Sequence, residues 1–204
     1  MTKRIRYVTP IGTALFTRLN TPSVRFKPEG EYLVTLLVNQ EEATPFIKLI
    51  EETAETYKKE SLVKQTLPRV GQPYQPYIDK ATNTPQGFIF KFYLRARVTP
   101  KDRPSFTQRP ALFDAKGKPI DSEIWAGSRL RIACELNPWQ THLGWGVSLW
   151  VKAAQVITLV NGDNAPKDGA AYGFDSEEGY ESFPEISDEE YAQSCQGAED
   201  GIPF

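Results

Sequence analysis

Between Phe88 and Val98 the chain reads Phe-Ile-Phe-Lys-Phe-Tyr-Leu-Arg-Ala-Arg-Val. Alternate positions carry Phe88, Phe90, Phe92, Leu94, Ala96 and Val98, and the positions between them include Lys91, Tyr93, Arg95 and Arg97. Side chains alternate across a pleated strand, so the segment predicts one apolar face and one face of cations around an aromatic ring. The pattern recurs: Leu130, Ile132, Cys134 and Leu136 point one way while Arg129 and Arg131 point the other. In the following run Leu143, Trp145, Val147, Leu149 and Val151 are expected inward, with Trp150 and Lys152 outward. Cations interleaved with rings make and break no bonds. They neutralise phosphates with release of counterions, and each ring offers a stacking surface to a base. A duplex hides its base faces, so this mixture suits an unpaired strand.

Connecting segments add weaker candidates. Pro73-Tyr-Gln-Pro-Tyr77 is stiffened by proline, so Tyr74 and Tyr77 are expected either to project as two rings or to pack on the body. Arg103, Phe106 and Arg109 follow the basic strand in a loop, with Lys101 ahead of them, and Trp139 is expected at a hairpin tip. Catalytic signatures are missing: there is no glycine-rich phosphate loop, no nucleophile elbow and only one histidine, His142. Two cysteines, Cys134 and Cys195, make neither a disulfide framework nor, with one histidine, a tetrahedral zinc set. No cofactor is expected. A nuclease working through scattered carboxylates and Mg²⁺ is a rival that spacing does not remove.

The elements that must hold these side chains read mainly as strands. Candidates are Ile11–Leu19, Tyr32–Asn39, Phe88–Val98, Arg129–Leu136, Leu143–Val151 and Gln155–Val160, with a short hairpin over Phe113–Lys118 turning at Gly117. One helix is expected, with Thr44 as its N-cap, Pro45 at its first position and Glu60 near its end. Five main strands with one inserted helix fit a closed barrel of the OB type; a sandwich fits the same periodicity.

Charge divides the chain in two. Residues 1–160 carry 23 basic and 14 acidic side chains, a net of +9, whereas residues 161–204 carry one base and 12 acids, a net of −11. A body able to bind polyanions and an acidic arm are implied. The arm is poor in aliphatic residues and is expected to be disordered. A tethered polyanion of this size should compete with any phosphate for the basic face. No apolar run approaches the ~18 residues of a membrane span and Met1–Arg6 has no secretory stretch, so a cytoplasmic protein is expected.

The last six residues, Glu199-Asp-Gly-Ile-Pro-Phe204, are acidic and then apolar. Ile202 and Phe204 are anchors, Pro203 lowers the cost of ordering, and Asp200 with the α-carboxylate suits a pocket with basic lips. This tip resembles that of bacterial single-stranded-DNA-binding proteins, from which Gly201 departs. The body is similar to phage-encoded single-stranded-DNA-binding proteins, in its layout and in Ala111-Leu-Phe-Asp-Ala-Lys-Gly117 and Gly127-Ser-Arg-Leu-Arg-Ile132. The resemblance implies a mainly β OB-type barrel of five strands with an inserted α-helix over residues 1–160, and a disordered acidic tail over 161–204. It also implies a protein that coats single-stranded DNA during replication, recombination or repair, in the host cytoplasm if phage-encoded, and recruits other proteins through Ile202, Pro203 and Phe204. A homo-oligomer is admitted but not required. The alternatives are a structural or assembly protein of a phage, and a binder of RNA or duplex DNA through the same face.

Overall fold

The computed structural model describes residues 5–25, 27–60, 67–78, 84–100 and 102–160. In chain order the elements are β1 (Ile5–Val8), β2 (Gly12–Ser23), β3 (Glu31–Val38), α1 (Gln40–Glu60), β4 (Arg69–Gly71), β5 (Tyr74–Ile78), β6 (Pro85–Arg95), β7 (Arg97–Val98), β8 (Phe106–Thr107), β9 (Ala111–Phe113), β10 (Arg129–Gln140) and β11 (Trp145–Thr158). Five of them close a ring. β2 pairs antiparallel with β3, and β3 with β6 from Glu31↔Arg95 to Val38↔Phe88. β6 runs parallel to β11 at Leu149↔Phe92 and Trp150↔Tyr93. β11 returns antiparallel along β10, which meets β2 at Arg129↔Thr13 and Leu130↔Gly12. This is an OB-type barrel, and the closure rules out the sandwich. β1 extends the sheet beside β10, β5 beside β6, and β4 and β9 beside β11.

Apolar alternation builds the interior. Val34, Leu36, Phe90, Phe92, Leu130, Ile132, Leu136, Leu149 and Val151 are all buried against one another. Cys134 joins them, and burial, followed by the neighbouring Glu135 charge, pushes its thiol up to about 12. Ala43, Phe46, Ile50 and Ala54 of α1 enter the same core. The Phe46 ring stacks on Tyr7 at 4.3 Å between centroids and meets Phe90 at 4.9 Å. Truncating a ring buried this fully costs about 3–5 kcal/mol.

The helix begins before its expected start. Asn39, not Thr44, is the cap: its Oδ1 accepts the Glu42 backbone N–H at 2.8 Å, and its Nδ2 donates to the Glu42 carboxylate at 2.7 Å. This reciprocal pairing, with Glu41 and Glu42 in the first turn and Lys58 and Lys59 in the last, outweighs the proline signal and leaves Pro45 inside the helix. Three strand expectations are also revised. The strands expected over Leu143–Val151 and Gln155–Val160 merge into one, β11 over Trp145–Thr158, in which Cys134↔Val151 and Ala133↔Ala153 leave Lys152 as an extra, outward residue. That bulge changes which parity faces the core, from Val151 to Ala154 and Val156, and so mimics a strand end. Leu143 lies in the turn before β11 and is exposed rather than inward. At the other end of β6 the strand breaks at Ala96, whose N–H is taken by the Gly30 carbonyl at 2.8 Å and whose carbonyl is taken by Gln108 at 2.8 Å. Gly30 needs its φ of 76° here, with Pro22 and Ala96 packed where a side chain would stand.

The hairpin at Gly117 is formed as expected, with Asp114 Oδ1 accepting the backbone N–H of Lys116 and of Lys118, each at 2.8 Å. Ser128, fully buried, bonds both backbone groups of Val160 and fixes the last described residue beside the start of β10. Among the described residues, no helix is long and apolar enough to cross a membrane.

Candidate nucleic-acid interface

The outer surface of β2, β3 and β6 is a sheet face assembled row by row from the strand register. Phe16 lies opposite Thr35, which lies opposite Lys91. In the next row Arg18, Leu33 and Tyr93 stand side by side, and in the last Glu31 faces Arg95. The parallel pairing of β6 with β11 carries the middle row onward from Tyr93 to Trp150, then to Glu135 of β10 and Arg6 of β1. From Lys91 to Arg95 the face spans roughly 13 Å along β6, and about 10 Å across three strands. Lys91, Arg95, Arg18 and Phe16 are exposed, while Tyr93 and Trp150 are half-buried, so each ring is held by its neighbours. The segment joining β2 to β3 adds Lys27, whose Nζ lies 5.5 Å from the centre of the Tyr93 ring and pairs with Glu31.

Sequence reasoning missed Phe16, Arg18 and Lys27. The register of β2 shifts between Ala14 and Phe16, which breaks the alternation that would have marked the strand's outer side. The signal available was a ring and a cation two residues apart, Phe16 and Arg18, in an otherwise uncharged run.

A two-stranded ribbon, β7 with β8, leaves the barrel where the β6 face ends. It carries Arg97, which donates to Ser105 Oγ at 3.3 Å, and the exposed Arg103 and Phe106, with the exposed Arg109 just beyond it. Gln108 ties its base to β6 by donating from Nε2 to the Arg95 carbonyl at 3.0 Å. Arg97 therefore belongs to this arm and not to the β6 face, a correction that follows from the break at Ala96. Lys101 lies outside the described residues.

Lys152 stays on the outer side of β11, two residues from Trp150, while several other expected side chains are placed elsewhere. Arg129 and Arg131 do point outward, but from β10, which the ring separates from β6 by β2 and β3 on one side and β11 on the other. Arg131 lines a separate groove with Val8, Phe113, Ala133 and Ala153. Lys152 is 3.6 Å from the buried Glu135 carboxylate, which Arg6 also reaches at 3.2 Å. Trp139 is within β10 and not at the hairpin tip. Its ring lies over Gly71, where β4 and β11 approach too closely for any side chain at Gly71 or Gly146. Tyr74 does not project. Its hydroxyl donates to Glu51 of α1 at 2.8 Å and its ring meets Phe88 and Phe90. Burial first, and then the Glu51 bond, push the Tyr74 hydroxyl's pKa up. Tyr77 is half-buried on β5. The tail tip, Asp200, Ile202, Pro203 and Phe204, lies outside the described residues.

The face therefore joins cations to rings on a rigid sheet, without any described group of three His, Cys, Asp or Glu side chains that could hold a metal ion. No family model matches the sequence, and no curated protein matches it. Solved structures do. The chain is similar to gp2.5, a single-stranded DNA-binding protein encoded by bacteriophage T7, with a TM-score of 0.61 and 22% identity over 89% of this chain and 100% of that one. It is similar also to the single-stranded DNA-binding protein from bacteriophage Enc34 in complex with ssDNA, with a TM-score of 0.55 and 14% identity over 76% and 88% of the two chains. At these identities the likeness is one of fold: the body has the OB-like architecture of phage single-stranded-DNA-binding proteins.

Proposed function

We propose that this chain binds single-stranded DNA without sequence preference, coats it during replication, recombination or repair, and recruits other proteins through its acidic tail. The binding mechanism is backbone neutralisation by Arg18, Lys91 and Arg95, continued by Arg97, Arg103 and Arg109 on the ribbon, with bases stacked on Phe16, Tyr93, Trp150 and Phe106. No bond is made or broken. The single observation that carries the reading is the register that sets rings and cations side by side on β2, β3, β6 and β11. That face is the one OB folds use for oligonucleotides. Two solved proteins of similar fold are single-stranded-DNA-binding proteins by name, one of them in complex with ssDNA. Arg129 and Arg131 sit on the flank of this face and serve as secondary phosphate contacts. The tail proposal rests on sequence: an acidic run ending in Ile202, Pro203 and Phe204.

A titration of labelled oligo-dT, an RNA oligomer and a duplex of the same length tests the reading. Oligo-dT should bind tightest and quench tryptophan emission, with log affinity falling linearly in log salt. Equal or tighter duplex binding without quenching would refute the stacking mechanism, and intact labelled strands in Mg²⁺ distinguish coating from nuclease action.

A further inference from the structure

Glu31 is the one carboxylate among the described outward residues of β2, β3 and β6. A fixed negative charge on a phosphate-binding surface opposes binding, so its placement calls for a physical account. Its side chain is 15% exposed, faces Arg95 across the β3–β6 pairing, and holds the Lys27 ammonium in an ion pair. The same ammonium sits over the Tyr93 ring. Glu31, Lys27 and Tyr93 thus form a chain of contacts: the carboxylate fixes the lysine, and the lysine covers a ring face that a base would otherwise occupy.

We propose that Lys27 is a latch over the Tyr93 stacking surface and that Glu31 is the positioning residue that holds it shut until a single strand binds. The inference deepens the single-strand reading above and rests on it. A base and the ammonium compete for one face of Tyr93, so stacking there displaces Lys27. Once displaced, the lysine exchanges a carboxylate partner for a backbone phosphate, and the Glu31 carboxylate is left facing Arg95. The latch is easily opened because Lys27 is 44% exposed and an ion pair in contact with water is weak. A solvated ammonium over the half-buried Tyr93 ring is similarly weak next to a stacked base. A polyanion therefore opens the latch more readily than a neutral aromatic solute, which offers no phosphate to Lys27.

The test is equilibrium binding of oligo-dT by the full chain across a salt series, for Glu31→Gln, Lys27→Met and the double variant. Thermal melts of each variant verify folding. Glu31→Gln should bind several-fold more tightly at low salt, with a salt slope within about 0.7 of the parent's, because Lys27 reaches a phosphate in both complexes and only the cost of opening differs. Lys27→Met should weaken binding and flatten the slope by about 0.7, the value of one phosphate contact on a single strand. In the Lys27→Met background the gain from Glu31→Gln should fall to half or less. An undiminished gain there would mean that Glu31 acts as a general charge, and no gain at all in the single variant would mean that it holds nothing shut; either result overturns the latch. Tyr93→Ala and Arg95→Glu separate the two levels. If folded forms of both bind as the parent does, the single-strand face itself is wrong, whereas if both weaken and Glu31→Gln changes nothing, only the latch fails.

Discussion

Tyr93 occupies the middle of a row in which every neighbour is set by register: Leu33 on one side, Trp150 on the other, and Lys27 above. In the proposed single-strand reading, rings and cations on this face should contribute differently to binding, and the difference is measurable. Arg95→Glu should weaken oligo-dT binding for every sequence and flatten the salt slope by about 0.7 or more, because a released counterion is lost. Trp150→Ala and Phe16→Ala should each cost about 1–3 kcal/mol of affinity while leaving the slope nearly unchanged, since stacking releases no ions. Fluorescence titrations at three salt concentrations separate the two classes, and a slope change for Phe16→Ala would remove it from the stacking set. Lys91, Tyr93 and Arg95 were legible as one face because a pleat alternates without regard to what surrounds it. Phe16 and Arg18 were not, because a bulge in β2 shifts the alternation at that point. Tyr74 was ambiguous in sequence, and its hydroxyl's bond to Glu51 is a tertiary contact that strand pattern does not encode.

At the scale of elements, α1 is attached to the barrel by a polar clamp as well as by Phe46 and Ile50. Arg69 of β4 donates through both terminal nitrogens to the Glu51 carboxylate, one of them at 2.8 Å, while Tyr74 of β5 donates to the same group. The Arg69 bonds hold the Glu51 carboxyl below its ordinary range, against a smaller opposing effect of burial. A carboxyl with a depressed folded pKa stabilises the fold above the unfolded value, and that stabilisation is lost as pH falls through the folded one. Glu51→Gln should therefore lower stability by about 1–2 kcal/mol at pH 7, the modest end for charged hydrogen bonds in a partly exposed clamp. As pH falls through the depressed pKa of folded Glu51 the two proteins should converge in chemical denaturation, and a gap that does not shrink with acidification would exclude an ionic origin. The helix and barrel strands were legible from periodicity, but the cap at Asn39 and the continuity of β11 were not. Thr44-Pro45 carries a stronger local start signal than the true cap, Asn39, and the bulge at Lys152 reverses the inward parity in mid-strand.

The whole molecule is organised by charge: +9 on residues 1–160 and −11 on residues 161–204. A flexible arm of this charge tethered to a basic body would be present at millimolar-scale effective concentration, and we propose that it lowers the apparent affinity for any other polyanion. Removing residues 161–204 is expected to tighten oligo-dT binding several-fold at 50 mM salt, with the advantage shrinking as salt screens the interaction. Unchanged affinity at low salt would show that the arm does not compete, without touching the binding face.

Strand alternation, the helix over Gln40–Glu60 and the division of charge are local or additive properties, and the sequence by itself determined them. A pleat fixes which side chains share a face of one strand, and net charge is a sum over residues. Only the closed ring decided which strands' faces lie together. It joined Tyr93 to Trp150 and to the unexpected Phe16 and Arg18, sent Arg129 and Arg131 to the flank, and committed Tyr74 and Trp139 to packing. Neighbours around a barrel are set by hydrogen-bond register between segments far apart in the chain, and that information is not contained in any one of them.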